Sequence, residues 1–539
     1  MNGSNGSRSD LVGRANWEQG HQPLSPMNIR VFGGPIVNRP TRREALRTGL
    51  AGIGTFATGM PALTTESSSS NEFSFHHDHV IGTSLDLIIR CARTADAEAT
   101  EKVILGEIER LRRIFSTFDS ASELSQLNQS TGPFRASPEL LTVLRHYELW
   151  QERSGGAFNA QLGDVIRIWK EAEQYGIEPD HAALRQFTEQ AARPGWQIDE
   201  ANQTVTHLTD QLLNLNSIAK GFIIDSATAL ARHRVPGLQG ILLNLGGDMY
   251  CFGTWLIGVQ DPAEPYDNAR SLTAVRLRDA AIATSGGYLR GYIVGSRRFS
   301  HLFDPRTGRA AEAVASATVV APNNVAANAL ATTLAVLAPE AGLRLIADTP
   351  GAECLVITTA GEQLRSAGLR ALEVPLTEQP KAVALLNADN AWPELFQVTI
   401  SITLPAITAP KYRKPYLAVW IEDAKGKPVR TLAVWGNSPK YLRDLYDWWK
   451  FAQGDDGLIK AVTRATRSPG KYSLVWDGND DKGAAVPQGT YTVKVEVHRE
   501  HGKHQTQTGK IKCLAAADKT TLTKNAETDA TMVEYGKKK

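Results

Sequence analysis

The chain has 539 residues, 42% of them hydrophobic and 22% charged, an ordinary globular composition long enough for two or three domains with substantial cores. A formal net charge of +2 gives no broad basic field, so nucleic-acid binding has no electrostatic support and a partner should be sought in a local site. Cys91, Cys251, Cys354 and Cys513 are widely scattered. They form neither a disulfide framework nor a paired zinc set, and are expected to be packing residues.

The first seventy residues read as an address. Thr41-Arg42-Arg43-Glu44-Ala45-Leu46, followed by the Gly-rich, mildly apolar run Thr48 to Leu63, has the form of a twin-arginine signal. The run is too short to span as a stable transmembrane helix. Export of a folded chain to the periplasm is the expectation, with or without membrane association, and Met27 is an alternative start. The competing reading is a surface amphipathic segment. Residues 1–71 are therefore set apart from the fold.

From residue 72 to 376 the pattern is α+β. Val80 to Arg90 alternates as a strand, Ala97 to Phe115 and Pro138 to Glu152 are amphipathic helices, and Gly240 to Leu245 and Trp255 to Val259 are strand-like. The stretch LNLNSIAKGFIID, Leu213 to Asp225, predicts a helix opening at Ser217 as N-cap, with Ile218, Phe222, Ile223 and Ala227 on its apolar face. Lys220 then sits in the first turn, where the helix dipole disfavours a cation unless an anion binds both the ammonium and the free N–H groups. A phosphate would do so. Alternatively, Lys220 reaches out to water.

Further polar stretches fall at strand ends and turns. In Asn244-Leu245-Gly246-Gly247-Asp248 two glycines let a ligand approach the backbone or simply make a tight turn. Ala283 to Tyr288 is a small-residue stretch with room for something bulky. His301 precedes Asp304-Pro305-Arg306-Thr307-Gly308, which has turn chemistry. That histidine is either a base or an ordinary hydrogen-bonded residue. In a helix starting near Asn323, Asn328 and Thr332 share a face, so their oxygens can meet one hard cation or serve close packing.

Residues 377–393 read as a linker, and 394–539 as a β-sandwich with strands at Phe396 to Leu404, Tyr416 to Trp420 and Thr490 to Val497. Asp477, Asn479 and Asp481 mimic the start of a calcium loop, but Gly483 falls one place late and Gln488 replaces the needed Glu, so calcium is not expected there. His498, His501 and His504 are expected to be exposed at a strand end, not to bind metal. Leu442 to Gly454 reads as a helix whose aromatics, Tyr446, Trp449 and Phe451, are core unless left exposed to dock a partner. Asn525 to Thr531 is a short polar stretch near the end of this region. A final strand from Thr531 to Tyr535 explains the same residues.

In order, the segments IGT, STFDSASELSQLN, GGAFNAQLG, SIAKGFIID, NLGGD, ATSGGYLR, SHLFDPRTG and ANALATT, from about Ile81 to Ile346, resemble the ApbE family of FAD:protein FMN transferases. The segment from Ser468 to Gly502 resembles DUF2271 domains and also immunoglobulin-like hairpins of other exported proteins, which names no activity. The first resemblance implies that FAD is bound, that a divalent cation, usually Mg2+, sits at the pyrophosphate, and that FMN passes to a Thr or Ser hydroxyl of another protein with release of AMP. The partner implied is an acceptor flavoprotein of an exported redox system. Asn525 to Thr531 also loosely echoes the family's acceptor pattern Asp-x-x-Ser/Thr-Gly-Ala-Thr, departing at two positions, which by the same resemblance makes Thr531 a self-flavinylation candidate. By resemblance the metal lies at the Ser217 carbonyl, Asn328, Ala331 and Thr332, and the flavin pocket involves Ile81, Phe118, Ala157, Phe158, Asn159, Asn214, Lys220 and Ala311. Lys220 would neutralise phosphate charge, His301 is the candidate base, and Asp304 either orients it or serves only the turn.

The departures are Asn159, Asn214 and Asn328, where the family commonly shows Asp, and Phe118 for a frequent Tyr. An amide at 328 still offers an oxygen but attracts a cation less strongly. The chain is thus either a transferase with an altered metal site or an exported, non-catalytic FAD-binding or scaffold protein of the cell envelope that has lost transfer.

Overall fold

The computed structural model describes residues 30–31 and 71–538, apart from 289, 376–390, 394, 408–412, 437–438, 456–457, 460–461, 465 and 468. The twin-arginine segment and most of the 377–393 linker lie outside the described residues.

The first part is α+β. A mainly antiparallel sheet runs in the order Gln363–Arg365, Glu353–Thr358, Val314–Ala321, Ser271–Ser285, Asp248–Gln260, Gly240–Leu245, Thr83–Cys91 and Asn71–Val80. Gly240–Leu245 is buried at every position, as a central strand covered on both faces must be. The expected strand Val80 to Arg90 is two strands joined at Ile81-Gly82, where both residues take positive φ, 43° and 78°. Alternating hydrophobicity continues through that turn and conceals it. The Thr94–Phe115 and Pro138–Arg153 helices match expectation closely. The first buries Ala97, Ile104, Ile108, Leu111 and Phe115 at helical spacing. The second opens on a Ser137 cap that accepts from Leu140 N, with Pro138 in its first turn.

Two helices, Asn216–Arg234 and Asn324–Val336, pack against each other on one face of this sheet. Their crossing depends on Gly221: a Cβ there would lie 2.7 Å from the Asn324 carbonyl oxygen. Asp225 ties the same point. Its carboxylate oxygens accept from Asn324 N (2.9 Å) and Val325 N (3.1 Å), two donors the second helix cannot satisfy within its own first turn.

Residues 391–538 form two packed antiparallel sheets. Gly470–Trp476, Phe396–Leu404, Thr531–Lys537 and Asp518–Leu522 make one. Pro428–Trp435, Tyr416–Glu422, Gly489–His498 and His504–Cys513, with the short Thr463–Arg464 strand parallel at the edge, make the other. Val398, Ile400, Ile402, Val419, Ile421 and Val495 meet between them, the alternation expected of a sandwich. The segment expected as one helix from Leu442 to Gly454 is instead Pro439–Leu442 and Tyr446–Ala452 with a turn between them. Trp448 is buried against the outer face of the second sheet, whereas Tyr446 stays 51% exposed.

Glu496, fully buried, accepts from Asp447 N (2.9 Å) and Trp448 N (2.8 Å) and faces His504 Nε2 at 2.6 Å. Of the three histidines expected to be exposed, His501 is so, and the expectation is corrected for the other two. His498 and His504 are directly paired across a hairpin and partly buried, because a turn between them brings both to one face. Thr531 begins a strand as expected and is wholly buried, with Oγ1 donating to Gln507 Oε1 at 2.6 Å. Its hydroxyl is therefore closed to self-modification in this fold. All four cysteines are free and buried.

The loop after Asp248–Gln260 joins the two parts. Asn268 donates to and accepts from the Val475 backbone (2.6 and 2.9 Å), Asp267 N donates to Ser473 O, and Asp267 pairs with buried Arg467 at 3.2 Å. The loop thereby covers the outer edge of Gly470–Trp476, satisfying backbone groups that an open edge strand would expose.

Candidate functional site

A cavity of about 340 Å3 opens where the two packed helices meet the strand ends. One wall is Ala157, Phe158 and Asn159. Asn214 comes from just before the first helix, Ser217 and Lys220 from its start, and Asn328 and Thr332 from the second. Gly246, Asp248, Thr284, Ser285, Arg290 and His301 complete it from the sheet side. The glycines at 246 and 247, with φ of 62° and 101°, make the tight hairpin that turns Asp248 inward.

The helix carrying Lys220 begins at Asn216 with Leu215 at its N-cap position, two residues before the expected cap, and Ser217 does not cap it. Asn214 Oδ1 accepts from Asn216 N at 3.1 Å instead. Lys220 lies in the second turn, and its ammonium pairs with the buried Asp248 carboxylate. The anion that the cation required is thus within the chain, although Lys220 still borders the cavity.

The asparagines have distinct local roles. Asn159 Oδ1 accepts from Gln161 N (2.8 Å) while its Nδ2 donates to Ala191 O (2.8 Å). An ionised aspartate could make the first bond but not the second. Asn328 is different: its Nδ2 is buried and has no hydrogen-bond partner among the described residues. Thr332 Oγ1, one turn on, is 3.4 Å from Ser285 Oγ. Among the described residues no group of three His, Cys, Asp or Glu side chains is arranged to hold a metal. Ser217, Asn328 and Thr332 nevertheless line the same cavity and carry oxygens of the kind a hard cation takes, and the unpartnered Asn328 Nδ2 holds that side chain in no fixed orientation.

His301 is partly buried, with Nδ1 3.4 Å from the Arg290 carbonyl oxygen. Burial, and next the positive charge of Arg290, push its pKa down to about 4. Asp304 does not orient it. Its carboxylate accepts from Arg306 N (2.9 Å) and from the Arg306 guanidinium (2.8 Å twice), so it serves the turn. Four further expected residues do not line the cavity. Phe118 is 85% exposed in the bend after a helix, Ile81 holds the positive-φ turn, Ala311 N donates to Leu302 O (2.8 Å), and Ala331 is wholly buried between helix and sheet.

Sequence reasoning missed Asp248 and Arg290 as charged lining groups, and Asp225 as the tie between helices. Asp248 closes the Gly-Gly turn and Arg290 ends the segment ATSGGYLR that starts at Ala283, which is the signal the sequence carries; burial and pairing are tertiary facts. Asp225 is pushed up to about 6 by burial, against the opposing effect of its two backbone donors.

The sequence model of the ApbE family matches residues 81–356, just over half of the chain, and that described as "Predicted periplasmic protein (DUF2271)" matches residues 397–531. The chain is 28% identical over 314 residues to a protein of Treponema pallidum named FAD:protein FMN transferase, covering 54% of this chain and 86% of that one. A protein of the same name from Haemophilus influenzae is 27% identical over 287 residues, covering 49% and 80%. In fold, an ApbE protein of Thermotoga maritima superimposes with a TM-score of 0.51 at 24% identity, covering 57% of this chain and all of that one. The chain belongs to the ApbE family, with a DUF2271 region after it.

Proposed function

We propose that this chain transfers FMN from FAD to a Thr or Ser hydroxyl of an acceptor protein, releasing AMP. The observation that carries the reading is the meeting of Lys220, His301, Asn328 and Thr332 on one cavity in a member of this family. In the reaction the acceptor oxygen bonds to the FMN phosphorus, the bond from that phosphorus to the bridging oxygen breaks, and its electron pair leaves with AMP. The hydroxyl proton goes to His301. A proton on Nδ1, facing the Arg290 carbonyl, leaves the Nε2 lone pair free to take it. With its pKa near 4, the imidazole is uncharged at neutral pH and competent as a base.

The Ser217 carbonyl, Asn328 and Thr332 would hold Mg2+ or another divalent cation, with Ala331 packed behind them. That cation would supply charge neutralisation on the diphosphate. Lys220, with its charge partly answered by Asp248, flanks the same oxygens. The wall of Ala157, Phe158, Asn159 and Asn214 is read as part of the flavin pocket.

Domain limits of 72–376 and 394–539 around a 377–393 linker fit this reading, as does periplasmic export, supported by Arg42-Arg43 and the description of the DUF2271 match. Among the described residues no helix is long and apolar enough to cross a membrane. An acceptor in an exported redox system follows from that location. A second reading, a flavin-binding protein without transfer, is favoured only by the neutral Asn328. Incubating the protein with FAD, Mg2+ and an acceptor peptide separates the two: covalent FMN on a hydroxyl with AMP release is the expected result, and intact bound FAD without AMP would overturn it.

A further inference from the structure

We propose that Arg290 is an anion-binding residue of this cavity and grips the diphosphate of the incoming dinucleotide. The ligand's identity rests on the transferase reading; the need for an anion there does not. Lys220, Asp248 and Arg290 are the lining residues that carry charge at neutral pH, since His301 is neutral there. Lys220 and Asp248 pair and largely cancel. Arg290 is left as the uncompensated cation. Its side chain is partly buried, and among the described residues no hydrogen bond or ion pair holds its guanidinium. Burial lowers its pKa, and the nearby Asp248 charge offsets this only in part. Partial desolvation of a guanidinium that no carboxylate pairs is unfavourable, so the arrangement is understandable if a ligand anion completes it.

The chemistry of that ligand follows from the group. Five N–H donors in a planar fork match two oxygens of a phosphate, bidentate and charge-assisted. A dinucleotide diphosphate carries two negative charges. After transfer the balance is one negative charge on the FMN diester, two on AMP and one positive charge on His301, so negative charge grows on the departing phosphate. A fixed cation in a partly dry site stabilises that change. The Arg290 carbonyl oxygen lies 3.4 Å from His301 Nδ1, and both residues line the same cavity.

The test needs no turnover. ADP, a diphosphate without flavin, and riboflavin, a flavin without phosphate, are titrated against the full chain, Arg290→Met and Arg290→Lys at fixed Mg2+, with melting curves to confirm folding. Arg290→Met should weaken ADP binding by about tenfold or more. Arg290→Lys should recover most of it, and riboflavin affinity should not change. ADP affinity equal to wild type in folded Arg290→Met, an equal loss for riboflavin, or no ADP binding by the wild type would each overturn the assignment. Failure of the transferase reading looks different: ADP binding lost in Arg290→Met while the wild type forms no AMP from FAD leaves the Arg290 assignment standing.

Discussion

Gly221 and Asn324 bring their backbones so close that a methyl group at 221 would sit 2.7 Å from the Asn324 carbonyl oxygen. This contact sets the spacing between the helix of Ser217 and Lys220 and the helix of Asn328 and Thr332. Gly221→Ala should therefore cost about 1–3 kcal/mol of stability through overpacking and reduce transfer more than Gly→Ala at an open position such as Gly106, whose Cβ would meet nothing within 4 Å. Denaturant melts and AMP release on both variants check this. Equal behaviour of the two would remove the contact's importance.

Removing the Lys220 ammonium leaves the Asp248 carboxylate, 6% exposed, without its partner. Lys220→Met should destabilise by about 1–3 kcal/mol, and Lys220→Met with Asp248→Asn should regain much of that loss without regaining transfer. Recovery of activity by the double variant would show that Lys220 acts only on the fold.

Lys220 also shows how far the sequence can be read. A cation near a helix start demands an anion, and that demand was legible; that Asp248 meets it was not, because a two-glycine hairpin carries the partner there from another strand. Long amphipathic helices such as Thr94–Phe115 were legible to within a few residues because one face alone is buried. The turn at Ile81 was hidden by hydrophobicity running through it. Asp304 has the residue type of an orienting acid, yet its nearest strong donor is Arg306, two residues away, and local geometry decided its role.

His301 sets a pH signature. Its folded pKa, about 4, lies below the ordinary histidine value near 6.5. Between these values the unfolded chain binds more protons, so this residue's contribution to stability rises as pH goes from 4 to 6.5 and is lost on acidification. Asp225, raised to about 6 from 3.8, acts oppositely: the folded state binds more protons, and its contribution falls as pH rises from 3.8 to 6. The stability difference between wild type and His301→Gln should thus grow with pH across 4 to 6.5, and kcat/KM should keep its acid limb near 4. An acid limb near 6.5 in the wild type would refute the buried neutral base.

Asn328→Asp restores a charge to the proposed cation site and should lower the Mg2+ concentration needed for half-maximal AMP release by on the order of tenfold. Thermal stabilisation by Mg2+ should shift in parallel. An unchanged Mg2+ dependence in a folded variant would move the cation elsewhere.

The most direct measurement is a crystal structure with FAD and Mn2+ soaked in, the metal being visible by its anomalous scattering. The diphosphate should lie between Lys220 and Arg290, with the metal on the Ser217 carbonyl, Asn328 and Thr332. A dinucleotide bound outside this cavity, or a metal coordinated away from those three residues, would contradict it.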